Sequence, residues 1–274
     1  LIKLLCFQSC IGEFKMYEKF KIMAQRHVHP LFIKDKLGGF DFSSTTTFIK
    51  RNNEYFCVFA AHALPLCEAT LKNIGFLLTY GRFTSLGEVS KDYTIDRDND
   101  LVICRTTGPF EHKNYFDLDT KEITTDFKDE AVGWLGFPKK KAKQKYHRTK
   151  ATTDHVVQDI STFEDGRLKW TNANYLLIGM EVANITEREI SAHFDDKKVD
   201  YEKEGYKEKA YSLKGMSGGA LFHVSKNINS DTPLLSDFFK FAGIGLEHYD
   251  SDKIIKGASA NLVVNLIDKH LKKI

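Results

Sequence analysis

Apolar and polar positions change texture near residue 30. Residues 13–26 space apolar side chains at Phe14, Tyr17, Phe20, Ile22 and Met23 among good helix formers, which predicts a short amphipathic helix. From Leu31 onward the apolar residues gather into short β-rich runs bounded by turn residues, at 40–49, 55–60, 74–79 and 101–105. A second set follows Phe137-Pro138, at 175–178, 220–224 and 241–246. Short strands at this spacing predict a barrel or sandwich. The closing stretch, 261–271, places apolar side chains at Leu262, Val263, Leu266, Ile267 and Leu271 and predicts one amphipathic helix. Two β lobes joined near residues 115–130 fit this order, at 30–125 and 126–274, with 1–29 as a helical extension. No internal repeat interrupts the pattern.

Composition narrows the class. With 274 residues and 42% hydrophobic content, the chain can build one large all-β domain or two small lobes, each with its own core. A net charge of +3 is too small for a protein that coats nucleic acid. The basic run from Lys139 to Arg148 therefore reads as a solvated loop. Five cysteines, Cys6, Cys10, Cys57, Cys67 and Cys104, form an odd set without CxxC or zinc-ligand spacing. Neither a disulfide framework nor a structural metal is expected. Cys57 and Cys104 lie in apolar runs, where a thiol behaves as a small buried hydrophobe, and the compartment reads as reducing. The apolar start, Leu1 to Phe7, is too short for a signal core, and no segment approaches the roughly 18 apolar residues of a membrane span. A soluble, cytoplasmic protein without a membrane or nucleic-acid partner is the expectation. No phosphate-binding loop is present and histidines and acids do not cluster at ligand spacing, so no cofactor is implied.

Three segments carry candidate chemistry. Gly215-Met216-Ser217-Gly218-Gly219 surrounds a serine with small residues, as a tight turn requires if backbone N–H groups are to converge on a substrate oxygen. His62 follows the apolar run 56–61, so its imidazole emerges where a buried strand ends. Asp100 directly precedes another apolar run, Leu101-Val102-Ile103-Cys104. A hydroxyl, a base and an acid that orients the base are the parts of nucleophilic acyl transfer.

Together these segments resemble the trypsin-like (chymotrypsin-fold) serine peptidase family. Ala60-Ala61-His62-Ala63-Leu64 is similar to its Ala-Ala-His motif, Asp100-Leu101-Val102-Ile103 to its acid before an apolar strand, and Gly215-Met216-Ser217-Gly218-Gly219 to its Gly-x-Ser-Gly-Gly motif. The order His, Asp, Ser also matches that family. Gly136-Phe137-Pro138 resembles a Gly-aromatic-Pro segment of bacterial-type members, and the resemblance covers roughly residues 30–274.

The resemblance implies two six-stranded-type antiparallel barrels with the active site between them and a C-terminal helix. It implies Ser217 as nucleophile, His62 as general base and acid, Asp100 as its orienting acid, and the backbone N–H groups of Gly215 and Ser217 as oxyanion donors. Met216 stands where the digestive enzymes carry the acid that captures a new N-terminus, and Ala63 where they carry a cysteine. Both departures favour the bacterial or intracellular branches. The resemblance also places Tyr211 near the floor of the specificity pocket, Leu246, Glu247 and His248 at its wall and Gly257 and Ala258 opposite. These residues are compatible with small or with basic side chains. The expected activity is a serine endopeptidase acting on a protein or peptide substrate, with a narrow target and a regulatory protein partner. The alternative is a protease fold that has lost activity and serves as an interaction module.

Overall fold

The computed structural model describes residues 24–34, 39–64, 70–77, 83–111, 113–119, 131–139, 161–164, 167–170, 175–195, 200–203, 206–209, 212–224 and 240–273. Tyr211, Cys6, Cys10, Cys67, the basic run beyond Lys139 and the expected lobe boundary at 125/126 lie outside these residues. So does the expected N-terminal helix, except for its end, where Gln25–His27 form a 3-10 turn.

The first lobe is one sheet. Its strands are β1 (Val28–Lys34), β2 (Phe40–Arg51), β3 (Glu54–Ala60), β4 (Ile74–Leu77), β5 (Phe83–Ser85), β6 (Ser90–Asp96), β7 (Leu101–Thr106) and β8 (Phe116–Asp117). They pair in the order β5-β4-β1-β2-β3-β7-β6, with β8 running parallel beside β2. The outer strands β5 and β6 are joined by the one-turn helix α1 (Leu86–Val89), not by pairing with each other. The Ser85 and Glu88 capping box starts that turn. This lobe is therefore a half-barrel, with α1 linking its two outer strands.

The second lobe contains β9 (Ala131–Gly136), the ribbon β10 (Ser161–Glu164) and β11 (Arg167–Trp170), β12 (Leu176–Ile185) and β13 (Glu189–His193). It continues with the ribbon β14 (Asp200–Lys203) and β15 (Tyr206–Lys209), then β16 (Gly219–Val224), β17 (Lys240–Tyr249) and β18 (Ile254–Ser259). Six of these strands close a barrel in the order β12-β13-β18-β17-β16-β9. Helix α2 (Ala260–Leu271) follows, its first turn capped by Ser259, whose hydroxyl accepts from Leu262 N at 3.2 Å. The all-β class and the C-terminal helix match the sequence expectation.

Side-chain alternation explains the apolar runs. On β3, Phe56 and Val58 enter one buried cluster while Cys57 and Phe59 enter another; on β7, Leu101 and Ile103 divide from Val102 and Cys104 in the same way. A strand buried on both faces needs no polar positions. The shared cluster also takes in Leu135, Phe137, Ala220, Phe222, Ile244, Val263 and Ile267, so it forms the seam that joins first sheet, barrel and α2. Val132, Trp134, Ile178, Ile190, Leu221 and Ile255 belong to the cluster of the second lobe. The strands that carry the candidate residues are thus anchored on both sides by close-packed apolar groups.

Candidate active site

The end of β3 sets the position of His62. The chain leaves the strand in a 3-10 turn, Ala61–Ala63, and Ala61 N donates to the backbone oxygen of Asp100 at 3.0 Å. Asp100 closes the β6–β7 turn with a left-handed φ of 53°, a conformation Asp tolerates better than most side chains. Its carboxylate accepts from His62 N at 2.8 Å and lies 2.5 Å from His62 Nδ1. One oxygen thus fixes the backbone of the turn and the other fixes the ring. With Nδ1–H donating to Asp100, Nε2 is left to exchange a proton with a third group. The Asp100 hydrogen bond raises the His62 pKa above its ordinary value against the opposing effect of burial, and the charges of Asp100 and Glu247 add to the rise.

Ser217 sits in a turn that two glycines make possible. Gly215 has φ 99° and Gly218 φ 85°. A Cβ at Gly218 would lie 2.1 Å from Thr45 O, so the turn presses on β2 at a distance only glycine allows. Strand β2 grips the turn in return. Thr45 N donates to Ser217 O at 3.0 Å, Thr45 Oγ1 donates to Gly215 O at 3.0 Å, and Thr47 Oγ1 donates to Gly218 O at 2.8 Å. Thr45 Oγ1 also accepts from Phe137 N at 2.9 Å, tying the turn to the end of β9. Met216 is fully buried in the second lobe's cluster, which turns the neighbouring Ser217 outward. The N–H groups of Met216, Gly218 and Gly219 donate to Leu213 O, Gly245 O and Met216 O. Among the described residues, those of Gly215 and Ser217 have no such partner.

A cleft of 390 Å³ brings the two halves together. His62 and Ser217 both line it, with Leu246 and Glu247 from β17 and, deeper, Trp134 and His248. The β16–β17 pairing ends at Gly219 and Gly245, and a register shift at Leu246 interrupts the β17–β18 ladder, so this part of β17 borders the cleft. Of the residues expected from the sequence, His62, Ser217, Leu246, Glu247 and His248 meet here, and Asp100 is bound to His62. Gly257 is paired opposite Gly245 in the barrel wall and is not among the residues lining the cleft. Trp134, Thr45 and Thr47 were not singled out from the sequence. Threonines at consecutive buried strand positions were the available signal for the last two, because a buried hydroxyl needs a partner.

One grouping of metal-ligating side chains occurs among the described residues: His62, Asp100 and Glu247 bring one ligand atom each within 4.8 Å of the others. The 2.5 Å between His62 Nδ1 and Asp100 Oδ2 is a hydrogen bond. No helix among the described residues is long and apolar enough to cross a membrane.

A half-barrel and a closed six-stranded barrel, packed across a common seam and followed by a C-terminal helix, define a chymotrypsin-like fold. No protein-family model matches the sequence, and no curated protein sequence matches it. Among solved structures, the chain is similar to the active form of the Rv3671c protease from M. tuberculosis, with 11% identity over 90% of this chain and 81% of that one, at a TM-score of 0.47. It is also similar to a Glu endopeptidase, with 10% identity over 91% of each chain, at a TM-score of 0.46. The fold assignment rests on the strand order and the closed barrel.

Proposed function

We propose that this protease-fold chain is an active serine endopeptidase, with Ser217, His62 and Asp100 as its triad. The observation that carries the reading is the His62–Asp100 pair facing the cleft that Ser217 also lines, beside two N–H groups with no partner among the described residues. Ser217 Oγ attacks the substrate carbonyl carbon while His62 Nε2 takes its proton. Asp100 holds the imidazole in the tautomer that makes this possible and stabilises the imidazolium. The carbonyl oxygen, now anionic, receives the N–H groups of Gly215 and Ser217, each worth about 100-fold to 1,000-fold in turnover. His62 then protonates the leaving amine, and water repeats the sequence on the acyl-enzyme.

A fluorophosphonate probe tests this directly. The folded parent chain is expected to label on Ser217, and Ser217→Ala to lose the label. His62→Ala is expected to label at least about 1,000-fold more slowly, since members of such a unit fail together. A folded parent that neither labels nor cleaves denatured casein would instead identify an inactive interaction module.

A further inference from the structure

Two buried polar atoms beside Ser217 have no partner among the described residues: Trp134 Nε1 and His248 Nε2. Both side chains line the same cleft as Ser217 and His62. Trp134 is 1% exposed and the His248 side chain 9%. Most buried polar atoms in native proteins are satisfied, and these two share an open cleft, where a ligand can supply the missing bonds.

The His248 ring is held from both sides. Its Nδ1 lies 2.9 Å from Asp250 Oδ1, and its ring meets Phe194 edge to face with centroids 5.4 Å apart. A neutral imidazole that donates from Nδ1 to a carboxylate presents a lone pair at Nε2. Trp134 Nε1 can only donate. The cleft therefore offers one donor and one acceptor. Gly245 allows the indole to lie where it does, since a Cβ there would come within 2.3 Å of Nε1.

We propose that this cleft selects a carboxamide side chain, that of glutamine, on the residue preceding the scissile bond. The amide oxygen accepts from Trp134 Nε1, and the amide NH₂ donates to His248 Nε2. A carboxylate would need a protonated His248, and it would enter a cleft that Glu247 and Asp250 also line. A lysine or arginine cation suits those carboxylates but cannot accept from the indole. An apolar side chain leaves both atoms unpaired. The proposal rests on Ser217 as the reacting centre and specifies what the site reads.

The test uses the Ser217→Ala chain, so binding is measured whether or not the protein cleaves. Peptides with free C-termini ending in Gln, Glu, Lys or Leu are titrated by calorimetry, and the same four residues are placed before the scissile bond in substrates of the parent. Gln is expected to exceed each of the others by at least about tenfold, the scale set by one unpaired buried polar group. His248→Phe in the Ser217→Ala background is expected to bring Gln and Leu peptides to parity. Asp250→Asn, at a position 84% exposed, changes no buried packing and is expected to narrow the margin of Gln over Glu. A lead for Leu, Lys or Glu in the binding series, or a Gln margin that His248→Phe leaves intact, overturns the proposal. A Gln preference in binding together with a parent that does not label with fluorophosphonate would overturn only the catalytic reading.

Discussion

At the level of single residues, His62 sits beside two acids, Asp100 and Glu247. Asp100 and Glu247 both favour the imidazolium, and the net effect is a raised pKa. In the proposed mechanism His62 acts as base only when neutral, so activity is expected to climb with pH through a midpoint above the ordinary imidazole value of about 6.5. The charge of Glu247 contributes to that rise. Glu247→Gln is expected to move the ascending limb of the kcat/KM profile to lower pH, as a stopped pH series would record; a limb that stays in place would remove Glu247 from the electrostatics of the base. Tyr249, whose hydroxyl donates to Glu247 Oε2, holds that carboxylate in position. Tyr249→Phe should change the same limb less than Glu247→Gln, because it leaves the charge intact.

At the level of elements, the geometry of the Ser217 turn is set largely by β2, a strand from the other lobe. Thr45 contributes three of the contacts that shape the turn, and Thr47 a fourth. Thr45→Val keeps the shape of the side chain and strands Gly215 O and Phe137 N without their partner. It is expected to cost about 1–3 kcal/mol of stability in a denaturant titration. It should also slow fluorophosphonate labelling, because the turn it releases carries Ser217. Unchanged labelling by a destabilised variant would show that the turn keeps its shape without β2. The motifs around His62, Asp100 and Ser217 were legible in the sequence because each lies at a strand end, where an apolar run meets a small or polar residue. The grip of Thr45 and the cleft position of Trp134 were not. They depend on contacts between residues more than 80 positions apart, and a threonine or tryptophan in a strand has the same local pattern with or without such a partner. The link through α1 between β5 and β6 was equally illegible, since it occupies a length of chain that a strand could also fill.

At the level of the whole molecule, α2 follows the second lobe in sequence and is bound to the first in space. Arg51 of β2 grips Asp268 through Nε at 3.1 Å and Nη2 at 2.9 Å. Two residues later His270, 4% exposed, takes Thr94 Oγ1 at 2.8 Å on Nδ1 and donates from Nε2 to Asp92. Asp92 also receives Arg105, so one carboxylate joins β6, β7 and α2. Burial works to raise the Asp92 carboxyl, and the hydrogen bonds from Arg105 and His270 outweigh it, holding it below its ordinary value. A carboxyl depressed on folding stabilises the fold fully above its unfolded pKa, and that contribution is lost as pH falls through the folded one. The link between the lobes should therefore hold at neutral pH and weaken below about pH 4. Asp92→Asn is expected to cost about 1.5–3 kcal/mol at pH 7, the range for hydrogen bonds to a charged group. Its deficit against the parent should shrink as both are titrated to pH 3. Because the cleft lies between the lobes that α2 joins, the variant should also lose fluorophosphonate labelling at lower denaturant concentration than the parent. Equal stability of parent and variant at pH 7, with both losing stability in parallel below pH 4, would place the acid sensitivity elsewhere and leave α2 held by its apolar face alone.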